Sequence, residues 1–243
     1  MLGVKLSAAM PEPAWIVRWR ARAALRGGQV EEAHRLLDQL IAAGNRRAFA
    51  LRSEVVQAYL RRAVKAVQVN DPDAAWNDLE AAERLARGEP EVMRMRERLV
   101  QSGLVEVNTL LDAGNPLQAL QAISRLKERH ASGAELTALE EAAQDWVMAG
   151  EMAERGELAL ARSTVDRAFR GLSRRPAPLE RFGGEIETRE NRFQTAWFDL
   201  QAAAQARDWR QMHRHATEIL AVAPRHREAQ QARNLAWQAV QPE

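Results

Sequence analysis

Small and apolar residues recur along this chain at steps of three, four and seven positions, the spacing that places side chains on one face of an α-helix. The clearest stretch covers residues 146–168, WVMAGEMAERGELALARSTVDRA. Trp146 and Ala153 share one face before Gly156, and Ala161 begins a second helical face after it. The pattern therefore predicts two helices that meet at a turn around Gly156.

The same pattern occurs five times along the chain. Its turn positions are Gly28, Asn70, Gly114, Gly156 and Arg207, at spacings of 42, 44, 42 and 51 residues. A polar residue follows each turn position, and small or apolar residues stand five, nine and twelve positions after it and three and seven before it. Ten positions before the turns stand Arg18, Leu60, Leu104, Trp146 and Trp197. A register shared by five segments predicts a repeat architecture.

The repeated residues resemble the tetratricopeptide repeat (TPR), a helix–turn–helix unit. The matching residues are Trp146, Ala149, Gly150, Ala153, Ala161, Val165 and Ala168, with Pro224 as the proline that closes such a repeat. The resemblance spans roughly residues 14–240, although the family period is about 34 residues and HEAT-type repeats, at about 40–47, are the alternative. It implies an all-α, right-handed α-solenoid of about five lengthened repeats plus a C-terminal capping helix.

The predicted organisation is an N-terminal lead-in over residues 1–13 and one TPR-like domain over 14–243. Helix pairs are predicted at 14–27 with 30–43, 46–69 with 72–87, 90–113 with 116–131, 134–155 with 158–174 and 178–206 with 209–223, followed by a helix at 225–240. Prolines and two adjacent glycines make 174–184 the predicted weakest junction. In the last helix, we expect Ala232, Leu235, Ala236 and Trp237 to face the fifth pair.

Composition and charge narrow the function classes. Alanine supplies 45 of the 243 residues, which favours helices, and zero cysteines exclude disulfides and thiolate metal sites. The net charge of +2 conceals a basic first third, an acidic middle and a basic end. His213 and His215 are two positions apart, so on a helix they point about 200° from each other rather than at one metal ion. We therefore predict no cofactor, no metal site and no catalytic residues.

These observations favour a non-catalytic protein–protein interaction scaffold or adaptor. We expect a peptide or a partner domain to bind in the groove of its helical repeats, in the cytoplasm, with the periplasm left open. No segment has the length and apolarity of a membrane span. The alternatives are a nucleic-acid-binding helical-repeat protein, suggested by a pI near 9.5 but opposed by the acidic middle, and an enzyme on a HEAT-like scaffold.

The TPR resemblance also implies where a ligand would bind, because in that family the inner face of each first helix contacts the ligand. The inner positions in this register are Trp19, Arg26, Arg61, Lys65, Gln68, Thr109, Asp112, Glu151 and Glu154. Arg61 and Lys65 resemble half of a clamp for a peptide's terminal carboxylate, but Trp19 and Ala23 occupy the positions of the other half. The groove implied runs from basic to acidic and would hold an acidic ligand end towards the N-terminal repeats.

A second predicted surface lies on the first helix. Trp15, Ile16 and Trp19 have no earlier repeat to pack against, so we expect a partner-docking or dimer surface there. The oligomeric state stays open at this point.

Overall fold

A computed structural model of the protein describes residues 12–240, and this range is all-helical. Helices occupy 84% of the described residues, and no strand occurs among them. The helices are α1 (Ala14–Arg26), α2 (Val30–Ala42), α3 (Ala48–Gln68), α4 (Pro72–Ala86), α5 (Pro90–Asp112), α6 (Pro116–Glu128), α7 (Ala134–Arg155), α8 (Leu158–Gly171), α9 (Ala177–Ala206), α10 (Trp209–Val222) and α11 (Arg227–Val240). All eleven predicted helices are confirmed. Most of the predicted lead-in, residues 1–11, lies outside the described range.

The chain forms two compact units, divided after Gln101 within α5. In the first unit α1 packs on α2, α2 on α3 and α3 on α4, and α1 also contacts α3. In the second unit consecutive helices from α6 to α11 pack against one another. Each unit is therefore built from antiparallel neighbours in chain order, as helix–turn–helix repeats require.

The five turns share one backbone conformation. All five turn residues are left-handed, with φ of 75° at Gly28, 58° at Asn70, 78° at Gly114, 85° at Gly156 and 52° at Arg207. The N–H of each turn residue donates to the carbonyl three positions earlier, at 3.0–3.2 Å. The next N–H donates to the carbonyl four positions before the turn residue, at 2.9–3.0 Å. This pair of bonds is the Schellman motif, which satisfies carbonyls that a helix end otherwise leaves open.

Most columns of the repeat form the core. The residues five, nine and twelve positions after each turn and seven before it are all buried. Trp146, with 8% of its surface exposed, is also a core residue. The column three positions before the turn is only partly buried, because Leu25 and Val67 are half-buried and Ala204 is exposed. What these five residues share is a backbone hydrogen bond, because the carbonyl of each accepts from the N–H of its turn residue.

The capping helix α11 differs in one detail from the expectation. Ala236 is fully buried and Ala232 packs on the same core, but Leu235 and Trp237 are 52% and 55% exposed. Ala229, Ala232 and Ala236 follow helical steps of three and four, and the two larger side chains lie off that line. The prediction that Leu235 faces the fifth pair was therefore wrong, whereas the ring of Trp237, although largely exposed, lies 5.6 Å from the His213 ring of α10.

The 174–184 segment is held by specific contacts within the second unit. Pro176 caps α9, and Leu179 is fully buried. The guanidinium of Arg174 pairs with Asp112, and Pro178 contacts the position where a Cβ on Gly114 would lie, at 3.2 Å. That this segment is the weakest junction stays a prediction.

Candidate partner-binding groove

The first unit contains two adjoining cavities formed by first helices of the repeats. One, of about 850 Å³, lies between α1 and α3. The other, of about 590 Å³, lies between α3 and α5. Gln57 and Arg61 line both cavities, so α3 forms the ridge between them. We call the two cavities together the basic groove.

The side chains reach the basic groove because of helical spacing. On α3, residues 57, 61, 65 and 68 are separated by steps of four, four and three, which keeps them on one face. On α1, Trp19, Arg22 and Arg26 are separated by steps of three and four. On α5, Arg94 and Arg98 are one turn apart. Three helices therefore each contribute one polar stripe.

The groove has an apolar floor and a charged rim. Leu60 and Met95 are buried beneath the second cavity, and Val64 beside them is half-buried. Trp19, 62% exposed, stands at the first cavity. A floor of this kind offers apolar contact to a ligand backbone while long basic side chains keep their charged ends in water.

Some charges of the groove are already paired. Arg22 on α1 forms a two-pronged bond to Glu54 on α3, with its shortest N···O distance at 2.7 Å. The pKa of Arg22 is raised by this hydrogen bond to Glu54. Glu91 accepts a hydrogen bond from Gln57 and lies 4.0 Å from Arg94. Both carboxylates of the groove therefore have partners inside it.

Four cations of the groove have no such partner. Arg26, Arg61, Lys65 and Arg98 are all exposed and form no ion pair or hydrogen bond with any residue in the described range. Arg61 lines both cavities, Arg26 only the first, and Lys65 and Arg98 only the second. The groove thus carries an excess of positive charge that the protein itself does not neutralise.

The structure gathers part of the predicted site. Trp19, Arg26 and Arg61 meet in the first cavity, and Arg61, Lys65 and Gln68 line the second. Sequence reasoning missed the basic residues Arg22, Arg94 and Arg98. The four-residue spacing of Arg94 and Arg98 could have indicated these two residues. The inner positions predicted on that helix, Thr109 and Asp112, lie near its C-terminal end instead.

The other four predicted residues lie in the second unit, outside these two cavities. Asp112 pairs with Arg174, and Glu154 lies 3.1 Å from the Arg225 guanidinium. Glu151 is 4.0 Å from Arg155, and the Thr109 hydroxyl donates to the Val105 carbonyl at 2.8 Å. The carboxylates at the predicted acidic end of the groove therefore already have arginine partners within the protein.

The two tryptophans of the predicted docking surface are solvent-exposed. Trp15 and Trp19 are 65% and 62% exposed, and Ile16 between them is half-buried. Trp19 belongs to both this surface and the first cavity of the basic groove. The two tryptophans stand one helical turn apart, so they share one side of α1.

Other charged side chains form ion pairs between neighbouring helices. Arg62 bonds to the buried Asp78 at 2.6–2.8 Å and also to Glu31, which raises the pKa of Arg62 and lowers that of Glu31. In the second unit, Arg167 bonds to Asp145, which is 8% exposed. Within the described residues, no three His, Cys, Asp or Glu side chains are placed to hold a metal ion.

Comparisons with known proteins identify no family for this chain. No protein-family model, curated protein or solved structure matches this chain. Among the helices of residues 12–240, none is long and apolar enough to cross a membrane.

Proposed function

We propose that the protein is a non-catalytic interaction scaffold, a TPR-like right-handed α-solenoid whose basic groove binds an acidic segment of a partner protein. One observation carries the proposal: Arg26, Arg61, Lys65 and Arg98 line one groove without an internal partner. The shared turn and the buried columns support the repeat architecture, and the matching residues around Trp146 favour TPR-like over HEAT-type repeats.

Unpaired cations in a groove favour an anionic ligand for a physical reason. Charge-assisted hydrogen bonds from Arg or Lys to carboxylates are about twice as strong as neutral ones. The same charges speed association by steering acidic partners towards the groove. The apolar floor, including Leu60 and Met95, adds contact area that a purely electrostatic surface lacks. A protein segment supplies both carboxylates and apolar side chains.

Nucleic acid is the second candidate ligand, since phosphates would also pair with these cations. Two features oppose it: Glu54 and Glu91 lie among the basic residues, and the groove is short compared with a continuous basic stripe. Retention on a DNA column that falls steeply with salt would favour this alternative.

The test is a charge reversal in the groove. A pull-down from native lysate with mass spectrometry supplies the partner, and calorimetry measures its affinity for the wild type and for Arg61→Glu/Lys65→Glu. Loss of two close charge contacts should cost about 2–5 kcal/mol of binding free energy. The control is Arg46→Glu/Arg47→Glu, the same charge change on exposed residues outside the groove. Equal affinity of both variants, with the fold intact, would place the site elsewhere.

A further inference from the structure

The basic groove has an internal division that bears on its ligand. Both cavities lie on one face of α3, the first along residues 50–61 and the second along residues 57–68, and Gln57 and Arg61 are shared by both. Arg26 serves only the first cavity and Arg98 only the second. The free cations are therefore distributed over two subsites.

We propose that the groove recognises an extended segment with two acidic side chains, one for each cavity, separated by about three residues. This inference rests on the proposed function and specifies the ligand of the same groove. The α3 residues that line the second cavity are centred about seven positions beyond those that line the first. A helix rises about 1.5 Å per residue, so the two cavities are about 11 Å apart along α3, and an extended chain advances about 3.3 Å per residue. Two carboxylates about three residues apart therefore span the two subsites.

The direction of the segment follows from the same geometry. The cavities are formed by α1 with α3 and by α3 with α5 and are offset along α3, so a ligand that fills both follows the shared face of α3 as it passes from α1 to α5. Between the two cavities the segment meets Arg61, which can bond to either carboxylate. The floor of the second cavity, with Leu60, Val64 and Met95, suits an apolar residue beside the second acidic one.

The ligand is a protein segment and not a generic polyanion for a reason of charge placement. Glu54 borders the first cavity paired with Arg22, and Glu91 borders the second beside Gln57 and Arg94, so each subsite offers unpaired positive charge only at its free cations. A continuous run of phosphates would meet both carboxylates. Two isolated acidic side chains avoid them.

A series of labelled peptides tests the spacing. Each peptide has two Asp residues in a Ser/Ala background, and the second Asp follows the first by one to six positions. The affinity of each peptide for the full chain is measured by fluorescence anisotropy. We expect the tightest binding at a separation of about three, and about tenfold weaker binding at one or six, the loss of one charge-assisted contact. Equal affinity across the series would overturn the two-subsite inference and leave the proposed function in place.

Variants of single subsites make the test sharper. Arg26→Gln and Arg98→Gln should each weaken the best peptide about tenfold and abolish the dependence of affinity on spacing, because one subsite is lost. Arg46→Gln, outside the groove, should retain that dependence. If no acidic peptide of the series binds, the proposed function fails together with the inference. If a single-stranded DNA of equal charge binds more tightly and with the same sensitivity to Arg26→Gln, the ligand is nucleic acid and the inference is wrong.

Discussion

The two units of this protein share a repeat register but differ in whether the charges at the predicted inner positions have partners. In the first unit, Arg26 and Arg61 line a groove without carboxylate partners. In the second unit, Arg174 and Arg225 pair with predicted inner-face acids, and Arg167 pairs with Asp145. The comparison shows that the repeat register determines the core, whereas the pairing of the inner-position charges differs between the two units.

The largest expected effect contrasts a buried and an exposed tryptophan. Trp146→Ala in the second unit should destabilise the protein by about 3–5 kcal/mol, because it removes a large core side chain. Trp19→Ala in the first unit should change stability by less than about 0.5 kcal/mol, since the side chain is mostly exposed. Urea unfolding of both variants measures the difference. Equal midpoints would refute the assignment of Trp146 to the core.

The next contrast concerns two turn glycines with the same backbone conformation. Gly28→Ala should cost about 1–2 kcal/mol, the strain of a left-handed alanine, because nothing lies within 4 Å of its new Cβ. Gly156→Ala should cost about 1–3 kcal/mol more, since its Cβ would lie 2.7 Å from His226 and 3.1 Å from Phe193. Thermal unfolding compares the two variants. An effect of the same size at both positions would show that the second unit relaxes around Gly156.

A smaller contrast tests capping at equivalent positions after the turn. The Asp71 carboxylate accepts a hydrogen bond from the Ala74 N–H at 3.0 Å, whereas Asn115 makes no side-chain cap bond. Asp71→Ala should therefore cost about 1 kcal/mol, and Asn115→Ala less than about 0.5 kcal/mol. Chemical denaturation gives both values. A reversed order would mean that the side chains exchange roles in solution.

The smallest expected effect is a pH dependence in the second unit. Burial lowers the pKa of His226 below 6.5, and its Nδ1 accepts a hydrogen bond from the Ala229 N–H at 3.2 Å. The folded state therefore resists protonation, so this contribution is complete above pH 6.5 and is lost as the pH falls through the lowered pKa. The effect is small because the ring is only half-buried.

Unfolding measured at pH 7.5 and pH 5.5 tests the His226 contribution. The wild type should lose more stability between the two values than His226→Asn does. The pH range of this test lies above the range in which carboxylates such as Glu157 and Glu218 titrate, because their pKa is lowered from the ordinary value of 4.5. If His226→Asn loses as much stability between the two pH values as the wild type does, the pH dependence comes from other groups.

Much of the fold could be predicted from the sequence, because helix periodicity and turn residues are local signals. The turns at Asn70 and Arg207 were predicted by register alone, and the structure adds that both residues are left-handed although neither is a glycine. The site was harder to predict. Whether Asp112 is free or paired depends on Arg174, which lies 62 residues away in the chain and is brought near only by tertiary packing. Arg98 was missed because the register was followed to the end of α5 rather than along its whole length.

Photocrosslinking of an acidic peptide tests the central claim most directly. A peptide with two Asp residues about three positions apart, the separation set by the offset of the two cavities along α3, carries a photoreactive group and is irradiated with the full chain. Mass spectrometry then locates the crosslinks. We predict saturable crosslinks on α1, on α3 and on α5 before Gln101, which Arg61→Glu/Lys65→Glu abolishes. Saturable crosslinks confined to the second unit would contradict the account.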